Sequence, residues 1–259
     1  MDRTILDDIL AVADDRARNA DLELPDLIER AGLQPPVRGF RHALGADGLS
    51  VIAEIKRRSP SAGVIASQLD PVVQAISYEA GGAAAISVLT EPEFFSGSLA
   101  DLEAVRSAVS VPVLRKDFTL NAAQIWEARA AGADAVLLIV AALDDDTLKS
   151  LVATADDVGI DAIVEAHTVQ EVDRAAAASA RIIGVNNRDL ATFVTDLSIA
   201  ENAAASIPAG IVAVGESGVS SRDGATRMRA AGYDAILVGE ALVRHPQPAE
   251  FVAELRSAQ

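Results

Sequence analysis

The chain has 259 residues, half of them hydrophobic, no cysteine, and a net charge of −16 from 38 acidic against 22 basic side chains. This apolar content supports a sizeable core, the acidic balance argues against nucleic acid and anionic membrane as partners, and the lack of cysteine excludes disulfides, thiolate metal sites and thiol catalysis. The three histidines (His42, His167, His245) show neither HxxxH nor HExxH spacing, so no metal site is expected.

Met1-Asp2-Arg3 begins no basic region followed by a long apolar core, and the longest apolar run, Ala135 to Leu143, is too short to span a bilayer. A soluble cytoplasmic protein is the expectation. Residues 1–48 read as a helical extension. Thr4-Ile5-Leu6-Asp7 resembles a capping box, and Ile5, Ile9 and Val12 with Leu6, Leu10 and Ala13 form a helical stripe. Pro25 can open a second short helix ending before Gly32. Pro35, Pro36 and Gly39 then make a turn-rich connection.

From about residue 50 one pattern recurs: a helix ends at Ala-Gly, two residues follow, and an apolar strand begins. Ala80-Gly81, Ala131-Gly132 and Ala231-Gly232 each lead into such a strand, and Val158-Gly159 into a fourth. Glycine just past a helix end takes the left-handed conformation at little cost. Apolar runs without alternation suit parallel strands buried on both faces. Eight strands are predicted, near Val51–Ile55, Ala84–Leu89, Val111–Leu114, Ala135–Val140, Ala162–Val164, Ile182–Val185, Ile211–Val214 and Ala235–Val238. Eight βα units close naturally into a (β/α)8 TIM barrel over residues 49–259, forming a single domain with the extension. An open doubly wound sheet would want an early GxGxxG, which the sequence lacks.

Residues just after each barrel strand share one face, where active sites lie. The lysines point there: of the three in the chain, Lys56 and Lys116 follow apolar runs, whereas Lys149 sits in a polar helical stretch. Lysine can lose its proton when desolvated, and arginine effectively cannot. Glu54 at the end of the first strand with Lys56 just after it, Lys116 after the third, Glu165 after the fifth and Asn186 after the sixth form a candidate acid/base set. Lys116, beside Arg115 and partly desolvated, is expected to be tuned toward neutral pH. Gly215-Glu216-Ser217-Gly218 and Gly239-Glu240, after the last two strands, read as a phosphate cradle, the usual location in these barrels.

Lys56, Arg57, Arg58, Arg115, Lys116 and Arg188 are expected to make a positive focus for an anionic substrate. Phe94, Phe95 and Phe118 are candidates to wall an aromatic group. The long first βα loop, Arg57 to Leu69, reads as a lid with Gly63 as hinge, or as a static loop braced by Pro60.

Five segments carry a resemblance to a known family: Ala53-Glu54-Ile55-Lys56-Arg57-Arg58-Ser59-Pro60-Ser61, Leu114-Arg115-Lys116-Asp117-Phe118, Val164-Glu165-Ala166-His167, Ile183 to Leu190, and Gly215-Glu216-Ser217-Gly218. The chain resembles the indole-3-glycerol-phosphate synthases of tryptophan biosynthesis along its whole length. That resemblance implies a lyase that closes the indole ring of 1-(2-carboxyphenylamino)-1-deoxyribulose 5-phosphate, releasing CO2 and water without cofactor or metal. It implies Lys116 as general acid, Glu165 as general base with Asn186 orienting it or the substrate, and Lys56 with Glu54 binding the substrate carboxylate or assisting dehydration. It also implies Arg188 and Ser217 at the anthranilate end, with Ser59, Gly218, Gly239 and Glu240 around the phosphate. Glu216 lies in the same substrate-binding set. Phe95, Phe118, Pro60, Leu137, Leu190 and Leu237 would line the aromatic pocket. The expected partner is thus a small anionic phosphosugar–anthranilate, and a monomer is expected over an oligomer.

Two departures stand out. Ala62 stands where family members often carry a lysine after Ser-Pro-Ser, and the only tryptophan, Trp126, lies in a later helical stretch, so no tryptophan of the N-terminal segment can wall the pocket. No second barrel follows, so one pathway step is expected. Three other readings of the same residues are a Schiff-base aldolase with Lys116 as nucleophile, a phosphosugar isomerase, and a non-catalytic phosphate-ligand sensor.

Overall fold

The computed structural model describes residues 5–189 and 192–258. Its strands, in chain order, are β1 (Ser50–Ile55), β2 (Arg58–Ser59), β3 (Gly63–Val64), β4 (Ala85–Leu89), β5 (Val113–Lys116), β6 (Ala135–Ile139), β7 (Asp161–Ala166), β8 (Ile182–Asn186), β9 (Val212–Glu216) and β10 (Ala235–Val238). Strands β2 and β3 form a small antiparallel ribbon inside the first βα loop. The other eight are parallel and close into a barrel in the order β1-β10-β9-β8-β7-β6-β5-β4, with helices between them, a (β/α)8 TIM barrel. Among the described residues no helix is long and apolar enough to cross a membrane.

Strand alternation divides the apolar residues into two sets. Val51, Ala53 and Ile55 face the helical layer, whereas Ile52 belongs to the barrel interior with Leu114, Ile163, Ile182, Val214 and Leu237. A residue two places further along the same strand points to the same side. Ile52 is thus followed inward by Glu54, Leu114 by Lys116, Ile163 by Glu165 and Val214 by Glu216. The interior is therefore layered, apolar below and ionisable above.

This layering corrects the expected strand ends. β5 starts at Val113 rather than Val111, because Pro112 has no N–H to give to the ladder, and it runs through Lys116. β7 includes Glu165, β8 includes Asn186 and β9 includes Glu216. Lys116, Glu165 and Asn186 sit on the strands themselves, not in the loops beyond them, whereas Glu54 lies within β1 as expected and Lys56 follows it.

The extension is helical: α1 (Ile5–Leu22), α2 (Leu24–Leu33) and α3 (Phe40–Leu44). The Thr4 hydroxyl of the expected capping box lies outside the described residues. α2 does not stop before Gly32 but runs through it, ending where Gln34 turns extended ahead of Pro35, as the residue before a proline must. α3 was not expected. Its Phe40 and Leu44 are fully buried in the interior cluster and close the base of the barrel. Leu27 and Ala31 of α2 pack with Ala123, Ala130 and Trp126 of the helix Ala122–Ala130.

Candidate active site

A cavity of about 450 Å³ occupies the barrel mouth. Every residue to which the family resemblance gave a catalytic or substrate-binding part borders it except Leu190, which lies outside the described residues. The acid/base candidates Glu54, Lys56, Lys116, Glu165 and Asn186 meet there with Ser59, Pro60, Phe95, Phe118, Leu137, Arg188, Glu216, Ser217, Gly218, Leu237, Gly239 and Glu240. Phe94 does not reach it, while Phe95 and Phe118 form a tilted pair with centroids 6.3 Å apart.

At the floor, the Lys116 ammonium lies 3.1 Å from Glu165 Oε2 and 3.4 Å from Glu216 Oε2. Asn186 Nδ2 donates to Glu165 Oε1 at 3.2 Å. Lys56 Nζ pairs with Glu54 Oε1 at 2.6 Å. Burial alone would push the Lys116 ammonium toward its neutral form, but the carboxylates of Glu165, Glu216 and Glu54 outweigh that, and the net shift is upward. The expectation of a lysine tuned toward neutrality is thus corrected. Arg115, which was to depress it, points to the other side of β5, donating to Gln124 O at 2.9 Å and pairing with Glu127 at 2.6 Å.

The two carboxylates beside Lys116 split in opposite directions. Burial would raise Glu165, but Lys116 and His167 bring it down to about 2. Glu216 is raised to about 8 by burial and the negative charge of Glu165, with Lys116 only partly offsetting this. Divergent carboxyls around one cation are the arrangement that separates an acid from a base. Glu216 Oε1 is also a buried oxygen without a hydrogen-bond partner among the described residues.

Two glycines make room for these groups. A Cβ on Gly239 would stand 2.4 Å from Glu54 Oε1, and one on Gly184 would stand 2.1 Å from Glu216 Oε1 and 3.1 Å from Ile163 Cγ2. Gly184→Ala therefore drives the Glu216 carboxyl away from Lys116. Displacement by about 1 Å of a group that positions the Lys116 ammonium costs on the order of 10²-fold. The expected result is a kcat lowered by roughly that factor with a modest loss of thermal stability; unchanged kcat in the variant would show that Glu216 has no part in turnover.

At the other end of the mouth, Ser217 (φ 62°) and Gly218 (φ 85°) are both left-handed. A Cβ on Gly218 would meet Thr195 Cγ2 at 2.6 Å, so only glycine fits. Ser217 carries the strain a non-glycine residue pays there. The buried Asn187 holds this turn, donating from Nδ2 to Glu216 O at 3.0 Å and Ser217 O at 3.2 Å. The helices that follow begin at Arg222 and Glu240.

The expected positive focus is narrower than the count of basic residues suggested. Arg57 pairs with Asp101 and Arg58 donates to Glu93 O. Of the expected set, Lys56, Lys116 and Arg188 border the cavity, joined by Arg244. The first βα loop is braced by Arg57 Nε donating to Leu69 O at 3.2 Å and by Ala62 N donating to Ser59 Oγ at 3.1 Å. Sequence reasoning missed Ile5, Leu6 and Ile9 of α1, which wall the mouth, as well as Arg244 and Phe193. The apolar stripe of α1 was visible, but no local signal says which surface a stripe will cover.

Asp117 ties α1 to this floor. Its carboxylate takes a double hydrogen bond from Arg16 of α1, both contacts 2.9 Å. It also accepts from Thr90 Oγ1 at 2.6 Å and lies 3.4 Å from Arg115 Nη2. Burial would raise this carboxyl, but Arg115, Arg16 and Thr90 hold it below its ordinary range.

The family model and the curated relatives point to one family, and the solved structures to the same fold. Residues 3–255 match the family model described as indole-3-glycerol phosphate synthase. An indole-3-glycerol phosphate synthase of Arthrobacter sp. (strain FB24) is 51% identical over 262 residues, covering 98% of this chain and 96% of that protein. One from Mycolicibacterium smegmatis is 49% identical over 257 residues, covering 98% and 94%. Among solved structures, a 3-hexulose-6-phosphate synthase shares the fold with a TM-score of 0.64 at 19% identity, covering 81% of this chain and 99% of that one. With a family model spanning nearly its whole length and relatives at about half identity, the chain belongs to the indole-3-glycerol phosphate synthase family.

Proposed function

We propose that the chain converts 1-(2-carboxyphenylamino)-1-deoxyribulose 5-phosphate to indole-3-glycerol phosphate by general acid/base catalysis, acting as a monomer in the cytoplasm. The observation that carries this reading is Lys116 set between Glu165 and Glu216 in the same cavity as the Lys56–Glu54 pair. Ring closure places negative charge on the ribulose carbonyl oxygen, and a charged ammonium at that atom stabilises and protonates it. Loss of CO2 uses the iminium created by closure as its electron sink. Glu165, kept ionised by its neighbours, then withdraws the proton whose removal restores aromaticity. Asn186 orients the Glu165 carboxylate. Lys56 and Glu54 serve the benzoate or the departing water.

Phe95, Phe118, Pro60, Leu137 and Leu237 would sandwich the aromatic ring, with Arg188 and Ser217 toward its polar end. Ser59, Gly218, Gly239 and Glu240 would surround the phosphate. A Schiff base on Lys116 would require the neutral amine, which three carboxylates oppose.

The test is direct. Purified protein mixed with the carboxyphenylamino-deoxyribulose phosphate should develop indole fluorescence, with one CO2 released per indole formed. Folded protein that returns this substrate unchanged would sink the reading.

A further inference from the structure

His167 follows the last residue of β7 and does not border the cavity, yet its ring lies directly behind Glu165. Its Nε2 sits 3.5 Å from Glu165 Oε1 and is a buried nitrogen without a hydrogen-bond partner among the described residues. Its Nδ1 lies 3.3 Å from Glu171 Oε2, and the same oxygen accepts the His167 backbone N–H at 2.7 Å. Glu171 is itself fixed at the start of the helix Val169–Ala177, where its own N–H donates to Thr168 Oγ1 at 3.2 Å. The imidazole is thus clamped between two carboxylates, one on the cavity floor and one outside it.

This placement answers a problem in the proposed chemistry. In the resting site Glu165 is neutralised from two directions, by Lys116 on Oε2 and by the His167 edge on Oε1. Once Lys116 gives its proton to the substrate it becomes neutral. A buried carboxylate without a cation is costly and takes up a proton itself. Glu165 would then be lost as a base before the step that needs it. A second, fixed cation that does not contact substrate prevents this.

We infer that His167, held as an imidazolium by Glu171, is a positioning residue that keeps Glu165 ionised after Lys116 has discharged its proton. The inference rests on the reaction proposed above. The charged and titratable groups around the ring are Glu165 on β7, Glu171 on the following helix and Glu216 on β9, with Arg174 facing Glu171 and Lys116 facing Glu165. Burial favours the neutral ring, but Glu171, Glu165 and Glu216 outweigh it, and the net shift of His167 is upward.

The experiment combines two readouts on the parent, His167→Gln and Glu171→Gln. Carbon-detected NMR titration follows the Glu165 carboxylate in free protein, and indole formation gives kcat and KM against pH. In His167→Gln the Glu165 titration and the acidic limb of kcat are expected to rise by about one unit or more, the effect of removing one nearby opposite charge. kcat should fall at least about tenfold at neutral pH with KM little changed. In Glu171→Gln, which leaves the imidazole in place without its outer carboxylate, activity should decline as pH rises through the ordinary histidine range, about 6.5.

A Glu165 titration that does not move in His167→Gln overturns the inference, whatever happens to kcat. So does a kcat loss in both variants without any change in pH profile, which would mark a purely structural ring. Absence of indole formation by the parent would instead strike at the proposed reaction, and the NMR titration would still report on His167 alone.

Discussion

Lys116→Met is expected to lower kcat by about 10³- to 10⁴-fold, the combined worth of a positioned general acid and of a cation at a developing alkoxide. Methionine keeps the unbranched apolar stem, so the loss is one of charge and proton. KM should change far less, since Lys56, Arg188 and the aromatic wall remain. The pH profile of the parent adds a second discriminating result. Because three carboxylates hold the Lys116 proton above its ordinary range, discharge of Lys116 gives no alkaline limb near neutrality. Glu216, in contrast, ionises at about 8, adding negative charge to a site that takes an anionic substrate. kcat/KM should therefore fall as pH rises through about 8, and Glu216→Gln should remove that limb. Lys116→Met with kcat within tenfold of the parent would move the acid role to Lys56.

Asp117→Ala is expected to cost about 3–5 kcal/mol of stability, because removing one partner of a buried ion-pair network leaves the others uncompensated. Arg16 would lose its double hydrogen bond, and the almost wholly buried Arg115 would keep only Glu127 of its two carboxylates. For a chain of this size the corresponding fall in Tm is roughly 10 °C. The sign with pH follows from the depressed carboxyl. An Asp whose folded pKa lies below its unfolded value stabilises fully above the unfolded value, about 3.9. That contribution is lost as pH falls through the folded value. The stability gap between parent and Asp117→Ala, measured by urea unfolding, should therefore be widest near neutrality and narrow in acid. A gap of under 1 kcal/mol at pH 7 would show that the network is not what docks α1.

Much of the architecture was readable before any coordinates. Parallel strands covered on both faces appear as apolar runs, and the runs from Ala135 and from Ala235 have no polar interruption to confuse them. The ends were harder, for a physical reason. A lysine or glutamate after an apolar run reads as the start of a loop, yet Lys116, Glu165 and Glu216 continue their strands because the barrel mouth brings them together as ionic partners. The face each residue takes was implicit in the alternation. Applied to Arg115 and Lys116 it would have sent one outward and one inward, and so removed Arg115 from the expected positive focus. α3 escaped because five residues, Phe40–Leu44, are too few to display a helical period, and what buries it is the open base of the barrel. The contribution of Ile5, Leu6 and Ile9 to the mouth depends on where α1 docks, which is set by Arg16 and Asp117, two residues 101 positions apart.

That separation bears on how the chain acquires its shape. α1 and α2 leave the ribosome ahead of the barrel, and the surfaces that receive them, Asp117 on one side and the helix Ala122–Ala130 on the other, are made about a hundred residues later. Short helices in isolation are marginal in water, and contacts between distant segments must meet their loop-closure entropy before they return anything. α3 faces a longer wait, since the ring it plugs is complete only when β10 pairs with β1. These helices, synthesised before the barrel they dock on, therefore have no complete surface to pack against until it is made, and the mouth lacks its α1 wall until then.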